Sequence, residues 1–148
     1  MEAPYAHIAC CIEDSDASRL ALAEARRLRA LGPGRLSLVH VAPIPLVYAP
    51  GAPGVWVPHH DDIAEAERIW LEGVVAETSG AEGVLLNGYP PAAACEWTRE
   101  AGADLLVAAA HRGRVERMLL GSFAAYLAYH APCTVLLLRP APDRPGGG

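Results

Sequence analysis

The chain has 148 residues, a hydrophobic content of 52% and a formal net charge of −5, and its 12 positive side chains are all arginine. That length suits one compact domain around a single core. The lack of lysine excludes a P-loop nucleotidase, whose lysine must reach the phosphates, and lysine Schiff-base chemistry, while the acidic balance argues against nucleic-acid binding.

The first seven residues, MetGluAlaProTyrAlaHis, hold no basic segment leading into an apolar run, so no secretory leader is expected. No apolar run reaches the roughly 18 residues that a membrane span needs. The expectation is a cytoplasmic protein with no membrane partner.

His7–Ile12 is a short apolar run and predicts a buried first strand. Cys10 and Cys11 are adjacent on it and must point to opposite faces. With Cys95 and Cys133 they read as small buried hydrophobes, since no Cys-x2-Cys pair occurs. Asp14 or Ser15 caps the helix that follows. Over Ala17–Leu31, Ala21, Leu22, Ala25 and Leu28 share one helical face, and Gly32-Pro33-Gly34 stops it. Arg35–Val41 predicts the second strand.

From Ala42 to His60 the chain turns rich in Pro and Gly. Val47–Pro58 is expected to be a mobile loop that folds Val47, Tyr48, Val55 and Trp56 over the core or presents them as a lid. Asp61-Asp62 opens a second helix with Ile63, Ala66, Trp70 and Val74 as its apolar stripe. Gly80 lies past its end. Gly83–Asn87 predicts a third strand, Pro91–Ala101 a helix with proline in its first turn, and Gly102 its stop. Asp104–Ala109 predicts the fourth strand and Thr134–Leu138 the fifth. Between them a basic loop, HisArgGlyArgValGluArg, feeds a helix that opens at Gly121-Ser122. A loop leaving a parallel strand for a helix N-terminus is a ready anion site. The tail after Arg139 is Pro/Gly-rich and expected to be disordered.

Strands alternating with helices predict a parallel sheet covered on both faces, with ligands beyond the carboxyl ends of its strands. Three segments add a resemblance. Gly88-Tyr89-Pro90 through Ala103-Asp104-Leu105-Leu106-Val107, the stretch Gly121-Ser122, and Ala131-Pro132-Cys133-Thr134-Val135-Leu136 are similar to signature segments of the universal stress protein family. The resemblance implies a single doubly wound α/β domain over residues 1–139, adenine nucleotide alpha hydrolase-like. Its five-stranded parallel sheet would have the order 3-2-1-4-5.

It also implies an ATP site at the ends of the first and fourth strands. Glu13 stands where the family usually has Asp, and Val41 where its backbone meets adenine. On the family's Gly-x2-Gly-x9-Gly-(Ser/Thr) phosphate motif, an ungapped match places Ala108, His111, Gly121 and Ser122. A gapped one uses Ala110 and Gly113. Only Gly121 and Ser122 agree in the ungapped match, so the motif is degenerate, and Phe123 is bulkier than the family's usual Val. His111, Arg112, Arg114 and Arg117 offer compensating charge for phosphate. Magnesium would enter only with the nucleotide, and no other metal is expected. His59-His60-Asp61-Asp62 has metal-ligand residue types but a weak spacing.

The resemblance further implies a homodimer through the apolar edge strand Thr134, Val135, Leu136, Leu137 and Leu138. Two functions stand open: a stress-response module binding ATP, or a nucleotide-free dimeric regulatory protein of the same family. An enzyme is not expected beyond weak ATP hydrolysis. Ser15, Ser122, His40 and His111 fall in no triad pattern.

Overall fold

The computed structural model describes residues 2–42, 60–110 and 121–140. Outside the described residues lie Val47–Pro58, the loop residues His111, Arg112, Gly113, Arg114 and Arg117, and residues 141–148. The elements in chain order are β1 (His7–Cys11), α1 (Asp16–Arg29), β2 (Arg35–Ala42), α2 (His60–Ala76), β3 (Ala81–Asn87), α3 (Pro90–Ala101), β4 (Leu105–Ala109), α4 (Ser122–His130) and β5 (Thr134–Leu138). The five strands form one sheet in the order β3-β2-β1-β4-β5, and every pairing is parallel.

The sheet is covered on both sides because its central strands are mostly apolar and β1 and β4 are buried at every position. In β1 and β4 all residues are buried, so successive side chains feed two separate cores. Ile8, Cys10, Leu36, Leu38, Leu105 and Val107 pack with Ala21 and Ala25 of α1 and Leu71 of α2. Ala9, Cys11, Val39, Leu106 and Ala108 pack with Ala94 and Cys95 of α3 and Leu127 of α4. Cys10 and Cys11 thus part to opposite faces, as their adjacency requires. Each fully buried leucine contributes about 2 kcal/mol relative to exposure. Ala21 and Ala25 have no exposed surface; their small size seats α1 on the strands, and a larger side chain there would overpack the contact by about 1–3 kcal/mol.

Local chemistry sets the element ends. The Ser15 hydroxyl accepts the Ser18 N–H at 3.2 Å and caps α1. Gly102 ends α3 in the left-handed conformation, with φ 67°. β3 starts at Ala81, two residues before the expected Gly83. Its pairing with β2 runs from Leu36↔Ala81 to Ala42↔Asn87, so the ladder carries Gly83 despite its weak strand preference.

The amino ends of the strands are knotted together by polar contacts. Asp104, just before β4, accepts the backbone N–H groups of Ala6 and His7 at 2.9 and 2.8 Å. Ser37 donates its hydroxyl to Glu82 at 2.5 Å and lies 2.7 Å from His7 Nε2. Since the serine proton is spent on Glu82, His7 Nε2–H is the donor to Ser37. Arg35 closes the row on Glu82 at 2.8 Å.

Candidate functional site

The carboxyl ends of β1, β2 and β4 open differently. β1 leaves the sheet at Cys11, and Ile12 stays attached through its N–H to the Val39 carbonyl at 2.9 Å. The turn then tightens on itself: Ser15 N–H bonds the Glu13 carbonyl, and Glu13 N–H donates to the Ser18 hydroxyl. That locks the turn and leaves the exposed Glu13 and Asp14 at its crest. β4 ends in small residues, and the Ala110 N–H is taken by the Leu138 carbonyl at 2.8 Å. The chain re-enters at Gly121, which caps α4 without a side-chain hydrogen bond, and the first turn of α4 carries no acid. Its leading amides therefore keep the positive end of the helix dipole.

Between these ends lies a cleft of about 650 Å³. One wall holds Val39, Val41, Ala108, Pro90 and Phe123, and the opposite one Ile12, His40, Ala66, Glu67 and Trp70; Glu13 and Asp14 stand at the β1 turn. The size is in the range of small-molecule and cofactor sites, and so is the mixture of apolar wall and a few polar groups.

Like Ser18, His40 is a buried polar group of this end. It lies inside β2, which runs on to Ala42, and its side chain is about nine-tenths covered. Nδ1 sits 2.8 Å from the Ile12 carbonyl and Nε2 sits 2.5 Å from Glu67 Oε2. The carbonyl can only accept, so Nδ1 carries a proton. The Nε2–Oε2 contact then holds a second one. The ring leans on Trp70, with centroids 4.8 Å apart. Glu67 and Trp70 are three residues apart on α2 and so present side by side. Cys11, on the cleft wall, is no thiolate nucleophile: burial, then the neighbouring Cys95, pushes its thiol up to about 12.

Of the residues singled out from sequence, Glu13, Val41, Ala108 and Phe123 line this cleft. Ala108 does so as a strand residue paired with Leu137, its surface 1% exposed. Ala110 is buried behind β4, and Ser122 is exposed at the start of α4; neither is on the cleft wall. Thr134 to Leu138 form β5 at the sheet edge, with the four apolar residues half-buried. The sequence reading missed the pairing of His40 with Glu67. Its trace was a histidine inside an apolar strand and a Glu-x2-Trp spacing on the helix that covers it. Among the described residues no group of three or more His, Cys, Asp or Glu is placed to hold a metal ion. Among them, too, no helix is long and apolar enough to cross a membrane.

Comparison with known proteins gives a consistent answer. The model of the family described as "Universal stress protein family" matches residues 4–139. A universal stress protein family member from Burkholderia pseudomallei is 25% identical, with TM-score 0.67, and the alignment covers 90% of this chain and 96% of that one. A universal stress protein solved in complex with cAMP is 22% identical over 93% of this chain and 98% of that one, with TM-score 0.68. The Archaeoglobus fulgidus universal stress protein in complex with dAMP is 20% identical over 92% of this chain and 98% of its own, with TM-score 0.60.

Proposed function

The chain belongs to the universal stress protein family, and from that premise we propose that it is a cytoplasmic stress-response module whose carboxyl-end cleft binds an adenine nucleotide, ATP by preference. The observation that carries this reading is the cleft itself. It is large enough for a nucleotide, it lies at the carboxyl ends of β1 and β4, and it is bounded by the dipole-positive start of α4. The complexes of two relatives with cAMP and dAMP support the ligand class.

In this reading the base and ribose lie toward Val41 and Glu13, and the phosphates toward Gly121, Ser122 and Phe123. His111, Arg112, Arg114 and Arg117 supply cationic contacts where the glycine motif is degenerate, with Gly113 giving room. Magnesium accompanies the nucleotide. In this reading the protein binds nucleotide and is no enzyme beyond weak ATP hydrolysis; on the cleft wall the Ser18 hydroxyl accepts the Glu13 N–H, and the Cys11 thiol is protonated. The test is calorimetric titration of the purified chain with ATP, together with the absorbance spectrum of the protein as isolated. Saturable binding with an adenine band in co-purified material is the expected result. No heat and no band would end the nucleotide reading.

A second reading, a nucleotide-free dimeric regulatory protein, is favoured by the edge strand. Val135, Leu136, Leu137 and Leu138 are all only half-buried on a strand with one free side among the described residues, and a bare apolar edge invites pairing. Light scattering at micromolar concentration is expected to give twice the 15.6 kDa chain mass. A monomer would remove this reading.

A further inference from the structure

The two ends of the cleft differ in charge. On the β1 turn stand two carboxylates, Glu13 and Asp14, and at the β2 end stands Glu67, paired with His40 and with the Trp70 ring beside it. At the β4 end stands the acid-free N-terminus of α4. In strand order the two ends are separated by β1. A nucleotide's phosphates are repelled from the turn carboxylates Glu13 and Asp14 and drawn to the start of α4, so the base belongs between Val41 and the facing Trp70, His40 and Glu67.

There the hydrogen-bond inventory is restrictive. Glu67 is an acceptor, and His40 already occupies Oε2 at 2.5 Å. Its other oxygen, Oε1, has no donor among the described residues, and the side chain keeps 29% of its surface exposed. His40 cannot swing away, because its Nδ1–H is held by the Ile12 carbonyl and its ring by Trp70. A carboxylate with both oxygens available grips guanine by two adjacent N–H donors. With one oxygen committed, it suits a base edge offering a single amino donor, as adenine does at its 6-amino group.

We infer that Glu67, oriented by His40 against Trp70, is the residue that selects adenine in this cleft by accepting its 6-amino hydrogen. The inference rests on the nucleotide reading of the cleft and adds a specificity determinant to it. His40 is a positioning residue here, acting through Glu67.

The test is calorimetric titration of the full chain with ATP, with purine riboside triphosphate, which lacks the 6-amino group, and with GTP. A bond from the amino group to a charged acceptor is worth about tenfold in affinity. The wild-type chain is therefore expected to bind ATP about tenfold tighter than either competitor. Glu67→Gln keeps the shape and loses the charge, so the preference should fall to about threefold; Glu67→Leu should bring it within about twofold. Thermal melts run alongside establish which variants are folded. Equal binding of ATP and its amine-free analogue by the wild type overturns the Glu67 assignment while leaving the nucleotide reading intact. An undiminished preference in folded Glu67→Gln or Glu67→Leu does the same. Binding of none of the three nucleotides removes the nucleotide reading and this inference with it.

Discussion

The two ends of the sheet carry the same residue types and use them oppositely. Each has a buried histidine on β1 or β2 and a glutamate that approaches it from another element. At the amino end His7, Ser37, Glu82 and Arg35 form a continuous row. Asp104 there takes up two backbone amides. The contacts satisfy one another. At the carboxyl end His40 and Glu67 engage each other but stand in the wall of a cleft of about 650 Å³. A polar row whose members satisfy one another contributes stability; one that leaves an acceptor facing a cavity is available to a ligand. Substitutions in the first row should move stability and leave nucleotide affinity alone, and those at Glu67 should move nucleotide affinity.

The largest effect that would break this comparison is expected from Ser37→Ala. Ser37 is fully buried and is the link between His7 and Glu82. Removing its hydroxyl strands the buried His7 Nε2–H, since Glu82 Oε1 is 3.8 Å away. The cost should be about 2 kcal/mol, measured by urea denaturation. ATP affinity should be unchanged. A variant that keeps full stability but loses ATP would invert the assignment of the two ends.

A smaller effect, with a pH signature, is expected at Asp104. Burial pushes its carboxyl up, but hydrogen bonds from the backbone N–H groups of Ala6, His7 and Asp104 itself outweigh that and hold it below the ordinary carboxylate range. A folded-state value below the unfolded one gives stability that is present above the unfolded value, about 3.9. It is lost as pH falls through the folded value. Asp104→Asn should therefore be less stable than the wild type by about 1 kcal/mol at neutral pH, a modest figure because the site is solvent-screened. The gap should narrow as pH drops below about 4. A gap that stays constant down to strong acid would show that the carboxylate charge is not what ties β4 to β1.

Much of this architecture was readable along the chain because it is written in short-range patterns. The buried runs of β1 and β4, the Ala21/Ala25 face, the Gly102 stop and the Ser15 cap each depend on residues a few positions apart. The paired families of contacts at the two sheet ends do not. His40 meets Glu67 across 27 positions, Ser37 meets Glu82 across 45, and Asp104 meets Ala6 across 98. In a parallel sheet such neighbours are brought together only by crossovers, so no local pattern announces them. Glu13, Val41, Ala108 and Phe123, which line the candidate cleft, were named through the family resemblance, and Glu67 was not, because it arrives from a helix whose sequence reads as an ordinary amphipathic stripe.

The smallest effect on the ligand is expected at Ala108, where the cleft wall can be tested at single-methyl resolution. On the phosphate motif this position carries Gly, which makes the alanine methyl look like an obstacle to ligand. The structure gives that methyl another neighbourhood. Ala108 is in regular parallel pairing with Leu137 and belongs to the buried cluster that includes Leu106 and Leu127. Its surface is only 1% exposed although it borders the cleft. A glycine there would lose buried methyl contact and loosen a central strand, a stability loss of about 1 kcal/mol. It would open little new cleft surface, so ATP affinity should shift by less than about twofold, under half a kcal/mol. Calorimetry and denaturation on the same Ala108→Gly preparation separate the two quantities. A large gain in ATP affinity would mean that the methyl does intrude on the phosphates and that the carboxyl end of β4, not only the β2 end, sets the fit of the ligand.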